Sequence, residues 1–167
     1  QPDDSRPDSA NIMDQWILSR LESLKDNIAT EMENYRLYNV VPALFDFIED
    51  LTNWYIRLNR SRFWAEGEVP DKFSAYQTLY DTLYELSLSM APFAPFLSET
   101  IYQSLRKLAN SDLPSSVHLC LYPESNNNRI KPLLEQAVTR MQHIILLGRQ
   151  KRNQEKVKTK YPVGKLT

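Results

Sequence analysis

The sequence predicts an all-α protein, a helical bundle of about five helices with one short extended segment near residues 117–122. Glycine accounts for only 3 of the 167 residues, which is too few for glycine-rich phosphate loops or several glycine-dependent hairpins. Apolar residues recur at steps of three or four along several long segments, which is the period of an amphipathic helix. The apolar fraction of 42% and the charged fraction of 25% are ordinary for a globular domain.

The first predicted helix begins after Asn11, behind a polar stretch with two prolines that we interpret as a linker, residues 1–11. We expect this helix to end near Asn34 and Tyr35. Its apolar residues lie on one stripe: Met13, Ile17, Leu21, Leu24, Ile28 and Met32.

A second helix is predicted from about Val40 to about Phe63, with Pro42 tolerated in its first turn because proline needs no donor there. The same periodicity predicts its buried face: Val41, Leu44, Phe45, Ile48, Leu51, Tyr55 and Leu58.

Gly67 and Pro70 interrupt the helical pattern, and a third helix is predicted over residues 72–90. Its apolar stripe contains Phe73, Tyr76, Leu79, Tyr80, Leu83 and Leu86. Two prolines in residues 91–96 then predict a hinge, since each removes a backbone donor, with Pro95 in the first turn of a fourth helix. That helix would bury Leu97, Ile101, Leu105 and Leu108.

A polar loop is expected at residues 110–116, and the alternation of apolar residues over 117–122 predicts a short strand or extended segment. The last helix is predicted to run from about Ile130 into a basic tail. Its apolar residues are Leu133, Leu134, Val138, Met141, Ile144 and Ile145. We therefore expect one helical domain over residues 12–160, followed at 161–167 by the start of a truncated C-terminal segment.

The two chain ends and the single cysteine indicate a fragment of a longer protein in a reducing compartment. The chain does not begin with methionine, and we expect both ends to be cuts within a longer protein. Cys120 has no second cysteine with which to form a disulfide or frame a zinc site, which favours a reducing, cytoplasmic setting. No apolar run approaches the roughly 20 residues of a membrane span. We expect a monomer that does not contact a membrane.

The stretch from Leu51 to Trp64 is the strongest candidate for a binding site. Four of its residues fall at positions i, i+4, i+7 and i+11 and so share one helix face: Asn53, Arg57, Arg60 and Trp64. Arg62 extends the positive charge. Guanidinium groups clamp phosphates, an indole stacks an unpaired base and an amide reads a base edge, so this face predicts binding of single-stranded RNA. The alternative is a surface helix whose arginines pair with Glu49, Asp50 and neighbouring acids and whose two tryptophans are buried.

The C-terminal stretch is a second candidate site. Residues 149–167 contain seven basic residues and one acidic residue, although the whole chain has a net charge of −1. The candidate phosphate contacts are Arg149, Arg152, Lys158 and Lys160. The alternative here is a solvated terminal helix.

Catalytic chemistry has no support in the sequence. His118 and His143 stand far apart and have no acidic or cysteine companions at the spacing of metal ligands. No nucleophile with an adjacent base, paired carboxylates or nucleotide loop is recognisable. We therefore predict no catalytic residue, no metal and no cofactor in this chain.

Five segments, in this order along the chain, resemble the anticodon-binding domain of class Ia aminoacyl-tRNA synthetases, and of the isoleucyl enzymes in particular. They are Asp-Gln-Trp-Ile-Leu-Ser-Arg-Leu at 14–21, Tyr-Arg-Leu-Tyr at 35–38 with Phe-Ile-Glu-Asp-Leu-Thr-Asn-Trp-Tyr-Ile-Arg at 47–57, Ala-Pro-Phe-Ala-Pro-Phe-Leu-Ser-Glu at 91–99, Ser-Val-His-Leu at 116–119, and the basic run 149–162. The last departs slightly, because Lys160-Tyr161 stands where the family often has arginine before the proline. Lysine keeps the charge but lacks the bidentate fork.

The resemblance implies a parent protein that activates isoleucine with ATP and Mg²⁺ and transfers it to isoleucine tRNA on a separate catalytic domain. The two signature motifs of that domain, His-Ile-Gly-His and Lys-Met-Ser-Lys-Ser, are absent from this chain. The chain itself would hold the anticodon stem and loop and pack against the parent's catalytic domain. The competing hypothesis is a helical scaffold or protein-interaction module without an RNA role, since residues 1–148 carry a net negative charge that repels phosphate.

Overall fold

A computed structural model describes residues 10–67, 69–109, 113–158 and 160–162. All regular secondary structure in these residues is helical, which confirms the predicted all-α class. The elements are α1 (Ile12–Glu33), α2 (Leu37–Glu49), a π-helix (Asp50–Ile56), α3 (Arg60–Phe63), α4 (Pro70–Met90), α5 (Pro95–Arg106), two 3-10 turns (Val117–Leu119 and Asn127–Arg129) and α6 (Pro132–Gln154). The described residues thus contain six α-helices, in agreement with the prediction of about five. The chain divides into two compact units, residues 1–130 and 131–167.

Some predicted segments fall outside this description. Most of the expected linker, residues 1–9, lies outside the described residues, as do residues 110–112 of the expected polar loop and 163–167 of the expected C-terminal segment. Within the part of the chain that is described, no helix is both long enough and apolar enough to span a bilayer.

Helix α1 follows its sequence pattern closely. The Asn11 side chain accepts a hydrogen bond from the backbone N–H of Met13 at 2.9 Å and so caps the helix. Tyr35 has a positive φ of 57° and ends it. The middle of the predicted stripe is buried, at Ile17, Leu21, Leu24 and Ile28.

Helix α2 begins earlier than predicted, at Leu37, so Pro42 lies inside the helix rather than in its first turn. Leu44, Leu51 and Tyr55 of the predicted face are buried, whereas Val41 and Phe45 are exposed. The residues that face the core are Val40, Leu44, Phe47 and Leu51. Apolar residues occur on both sides of this helix, so periodicity did not distinguish the inner side from the outer.

The π-helix that continues α2 changes which residues point inward. A π turn holds more residues than an α turn, so steps of four residues keep returning to the same side of the mixed segment. Leu51, Tyr55, Asn59 and Phe63 are all buried at this spacing. Leu58, predicted to be in the core, is 49% exposed, and Asn59 takes the inward position instead. Asn59 Nδ2 donates to the Tyr55 carbonyl at 2.8 Å, which satisfies the buried amide.

Of its predicted apolar stripe helix α4 buries only Leu86, and most of its other buried residues are small or polar. Its inward face is formed by Ala75, Thr78, Thr82, Glu85, Leu86, Ser89 and Met90. Phe73 and Tyr76 are exposed and, with Leu83 of α4 and Leu105 of α5, line an open groove of about 630 Å³.

Helix α5 begins at Pro95, as the hinge prediction required. Of the four residues predicted to be buried, Leu105 is in the core, while Leu97 and Leu108 are exposed. Tyr102 is fully buried, and its hydroxyl donates to the Pro114 carbonyl at 2.8 Å.

The extended segment predicted at 117–122 is wrong in its first half, because Val117–Leu119 forms a 3-10 turn. Glu99 of α5 explains the turn. Its carboxylate accepts hydrogen bonds from the Ser116 hydroxyl and the Val117 N–H, both at 2.9 Å. The Gln103 side chain donates to the same carboxylate at 2.8 Å. These bonds organise the backbone locally, and no other strand is available within the described chain to pair with an extended segment.

Replacing Glu99 by glutamine is expected to lower the melting temperature at neutral pH. As the pH is lowered, the melting temperature of the variant should fall less than that of the native protein. The pKa of Glu99 is lowered, chiefly by the Gln103 hydrogen bond and then by the Val117 N–H. A lowered pKa in the folded protein stabilises the fold above the pKa of the unfolded chain, and this stabilisation is lost as the pH falls through the folded value. Thermal unfolding of both proteins between pH 7 and pH 3 measures the effect. Parallel pH profiles would contradict it.

Candidate nucleic-acid interface

The end of the α2–π–α3 segment carries the four residues of the predicted binding face, Asn53, Arg57, Arg60 and Trp64, and we call this set the ridge. All four side chains are exposed, and Trp64 retains 67% of its accessible surface. The buried residues between them hold the ridge on its inner side, as described above. The sequence prediction placed these four residues on one face, and the structure exposes all four.

The cations of the ridge are available for a ligand. Among the described residues, neither Arg57 nor Arg60 forms an ion pair or hydrogen bond through its side chain. Asp50, which the alternative hypothesis paired with these arginines, instead binds Arg20 Nε at 3.0 Å. Trp64 is exposed and Trp54 is half-buried, so the two tryptophans are not both core residues. The alternative hypothesis therefore does not describe this surface.

Arg60 and Trp64 form a single unit on the ridge. The guanidinium carbon of Arg60 lies 5.4 Å from the centroid of the Trp64 ring, within cation–π range. The rings of Trp64 and Phe63 form a T-shaped contact, with a centroid distance of 6.4 Å and an interplanar angle of 90°. An indole held in this way is a stacking surface for a planar π system, with a positive charge beside it.

Arg62 differs from the other predicted contacts, because its guanidinium points into the bundle. It donates to both carboxylate oxygens of Asp14, at 2.7 and 2.9 Å, and to both of Asp71, at 2.8 and 2.6 Å. The pKa of Arg62 is raised, with the Asp14 hydrogen bond as the largest cause. Here the pairing hypothesis holds, although one of the acids, Asp14, lies 48 residues away in sequence. We therefore leave Arg62 out of the ridge.

The basic tail lies in the second unit. Helix α6 ends at Gln154, and Lys156 adopts a positive φ of 54°, which reverses the backbone. Arg152 Nη1 then donates to the carbonyls of Lys158 and Tyr161, at 3.2 and 2.8 Å. Arg152 thus folds the tail back on the helix end.

The other predicted tail residues remain on the surface. Arg149, Lys158 and Lys160 are exposed, and Lys160 Nζ lies 5.9 Å from the ring centroid of Tyr161. Lys151 pairs with Glu155 at 2.7 Å, so the single acid of the tail neutralises a residue outside the predicted set. In the part of the chain described here, no group of three or more His, Cys, Asp or Glu side chains is arranged to hold a metal ion.

The fold and the ridge together define a helical-bundle domain with an exposed cationic and aromatic surface. The family described as the anticodon-binding domain of tRNA ligase matches residues 14–167. The chain belongs to this family.

Similar full-length proteins agree with the isoleucyl resemblance of the ordered motifs. The isoleucine–tRNA ligase of Bdellovibrio bacteriovorus is 49% identical over 158 residues, which is 95% of this chain and 15% of that protein. The cytoplasmic isoleucine–tRNA ligases of Saccharomyces cerevisiae and Mus musculus are each 42% identical, over 95% of this chain and 15% and 13% of their own lengths. The predicted resemblance is therefore confirmed, and the chain spans about one seventh of the length of these relatives.

Proposed function

We propose that this domain binds the anticodon stem and loop of isoleucine tRNA through the ridge. The observation that carries the proposal is the exposure of Arg57, Arg60 and Trp64: neither arginine has an acidic partner among the described residues, and Arg60 lies over the Trp64 ring. In this assignment Trp64 stacks on an unpaired loop base, the arginines bind phosphates or base edges, and Asn53 offers an amide to a base edge. Family membership and the names of the similar ligases support the choice of tRNA over other RNA.

The basic tail contributes the sequence-independent part of the binding. Arg149, Lys158 and Lys160 are exposed cations, and neutralising phosphates with them releases counterions. Arg152 acts indirectly, because its hydrogen bonds to two backbone carbonyls hold the turn that carries Lys158 and Lys160.

The domain itself would carry out no chemistry. We propose that it belongs to a longer polypeptide that uses ATP and Mg²⁺ on a separate catalytic domain to attach isoleucine to its tRNA. Binding energy realised on the ridge, away from the reacting atoms, would position the tRNA for that reaction. The catalytic domain of the same polypeptide would then be an intramolecular partner, and the whole protein would act as a monomer in the cytoplasm.

Replacing Trp64 by alanine is expected to weaken binding of the isoleucine anticodon stem-loop by about tenfold or more, because stacking on one aromatic side chain is worth about 1–3 kcal/mol per base. Replacing Arg60 by alanine is also expected to weaken binding, because it removes a cation that binds phosphate. Fluorescence anisotropy with a labelled stem-loop measures the dissociation constant. In the full-length polypeptide, the same substitutions should raise the KM for tRNA and leave ATP-dependent activation of isoleucine unchanged.

Matched controls separate the ridge from general surface effects. Phe96 is a more exposed aromatic residue on α5, and Arg140 is an exposed arginine on α6. Phe96→Ala and Arg140→Ala should leave the affinity within about twofold. Equal affinity for the isoleucine stem-loop and one with an unrelated anticodon would contradict anticodon reading. Absence of RNA binding even at low salt would favour the scaffold hypothesis, for which the exposed α2 residues Val41 and Phe45 would be the first surface to test.

A further inference from the structure

We propose that Asp14 and Arg62 act as a positioning pair, which holds α3 so that Arg60 and Trp64 face outward for the ligand. The proposal rests on the function proposed above, because it concerns how that same ridge is presented. Neither residue touches the RNA in this assignment. Their effect on binding is exerted through the orientation of a short helix.

Helix α3 depends on tertiary contacts for its position. It contains only four residues, Arg60–Phe63, and isolated helices shorter than about 12 residues are marginal in water. No side chain forms a hydrogen bond that caps its N-terminus at Asn59. The orientation of the helix is therefore set by what its inward side chains bind.

Arg62 provides the main polar anchor. Its Nη1 and Nη2 atoms form a two-pronged contact with the carboxylate of Asp14 in the first turn of α1. Nη1 also donates to Asn59 Oδ1 at 2.9 Å, and Nε and Nη2 contact Asp71 at the start of α4. One guanidinium thus joins α1, α3 and α4. Because the guanidinium is planar and each prong has its own acceptor, the contact restricts orientation as well as distance.

Asp14 is the buried carboxylate that accepts the hydrogen bonds of Arg62. It is fully buried, and a buried carboxylate requires hydrogen bonds or a paired charge. The Tyr55 hydroxyl donates to Asp14 Oδ1 at 2.8 Å, and the Ser74 hydroxyl donates to Oδ2 at 3.3 Å. Burial and the neighbouring Asp14 raise the pKa of Tyr55, so its hydroxyl stays protonated as a donor. The π-helix, through Tyr55, is therefore tied to the same carboxylate as α3.

Phe63 completes the buried side of α3 and contacts Trp64, so its position affects that of the Trp64 ring. Its ring lies 6.2 Å from that of Tyr55 and 5.4 Å from that of Tyr76, both edge-on, and the Tyr76 hydroxyl donates to the Phe63 carbonyl at 3.1 Å. Trp64 follows directly in the chain and packs edge-on against Phe63. With Arg62 and Phe63 held inside, Arg60 and Trp64 are left on the outer side, where their mutual contact forms.

The first test measures the position of Trp64 without RNA. The chain has three tryptophans, so 5-fluorotryptophan labelling gives three ¹⁹F resonances, of which Trp64→Phe identifies one. Arg62→Lys keeps the charge but loses the fork. We expect the Trp64 resonance in this variant to shift towards its position in the unfolded chain and to narrow. Arg36→Lys makes the same substitution in the ion pair of Arg36 with Glu31 and leaves the fork intact, so it should not move the resonance. An unmoved Trp64 resonance in Arg62→Lys would overturn the proposal.

The second test measures stem-loop affinity in the same variants. Arg62→Lys and Asp14→Asn are expected to lose about tenfold, since small displacements of positioning groups have effects of this size. Leu105→Ala, a core truncation on α5, serves as the control for reduced stability, with all proteins compared at a temperature where each is folded. It should change the affinity less than about twofold. Equal losses in Leu105→Ala and Arg62→Lys would mean that stability alone matters and would overturn the positioning role.

The two proposals fail in different ways. If Trp64→Ala and Arg60→Ala bind the stem-loop normally, the proposed function is wrong, whereas a shifted Trp64 resonance in Arg62→Lys would still support the positioning pair. If those two variants lose affinity but Arg62→Lys does not, the ridge binds RNA and the positioning pair is wrong.

Discussion

Replacing Lys25 by methionine is expected to reduce the free energy of unfolding by about 3–5 kcal/mol, the range for removing one partner from a buried ion pair. The Lys25 side chain is only 4% exposed, and its ammonium lies 2.9 Å from Glu22 and is hydrogen-bonded to Glu85. Without it, two buried carboxylates would face each other. Glu22 also accepts a hydrogen bond from the Asn126 N–H at 2.7 Å, so the loss would loosen the 3-10 turn beside α1. Urea unfolding followed by circular dichroism measures the change.

The loss in the free energy of unfolding caused by Lys25→Met should be smaller in acid. Burial raises the pKa of Glu85, and Lys25 opposes that rise. In the variant, the pKa of Glu85 in the folded protein would rise further above its value in the unfolded chain. Between these two values the folded protein would bind more protons than the unfolded chain. A raised folded pKa gives stability that is present below the unfolded pKa and is lost as the pH rises through the folded value. The variant should therefore recover relative to the native protein as the pH falls through that window.

The matched control is Lys107→Met, at the exposed end of α5. Because its side chain is solvated, this substitution should change stability by no more than about 0.5 kcal/mol. If the two lysine variants unfold at the same urea concentration, the charged cluster around Lys25 does not stabilise the fold in the way its burial implies.

Replacing Arg62 by alanine is the second substitution with a large expected effect, again about 3–5 kcal/mol in the free energy of unfolding. It leaves the carboxylate of Asp14, which is 0% exposed, without the guanidinium that contacts both its oxygens. The hydroxyls of Tyr55 and Ser74 donate to Asp14 but bring no charge. Thermal and urea unfolding of the variant provide two independent measurements.

Asp71→Asn is the comparison that isolates burial. Asp71 contacts the same guanidinium as Asp14, but its side chain is 52% exposed. An ion pair open to solvent is worth at most about 1 kcal/mol, so this variant should be much closer to the native protein. Similar losses in Arg62→Ala and Asp71→Asn would show that the exposed half of the network, rather than the buried half, supplies the stability.

Helix positions were predictable where the signal is local. The start of α1 after Asn11, the middle of the α1 stripe and Pro95 at the start of α5 each depend on residues within one or two turns, and the structure confirms all three. The inward faces of α2 and α4 were predicted less well. Both helices carry apolar residues on two sides, and the side that is buried depends on the neighbouring helix. On α4, Ala75 and Thr82 are buried, whereas the larger Phe73 and Tyr76 are exposed.

In the candidate site, too, spacing predicted some features, and others depended on residues distant in sequence. Spacing alone placed Asn53, Arg57, Arg60 and Trp64 together, and the structure exposes all four. Spacing did not distinguish Arg62 from its neighbours, because its partner Asp14 lies 48 residues away. Nor did it identify Asn59 as the inward residue, since nothing in the periodicity announces a π turn.

The sequence by itself determined the helical class, through scarce glycine and a period near 3.6, and the family, through five ordered motifs that the similarity to isoleucine–tRNA ligases bears out. The tertiary structure alone decided which arginines are paired inside and which face solvent. The physical reason is range: helix formation and capping depend on residues a few positions apart, whereas the burial of Asp14 and its pairing with Arg62 depend on four segments meeting at one carboxylate.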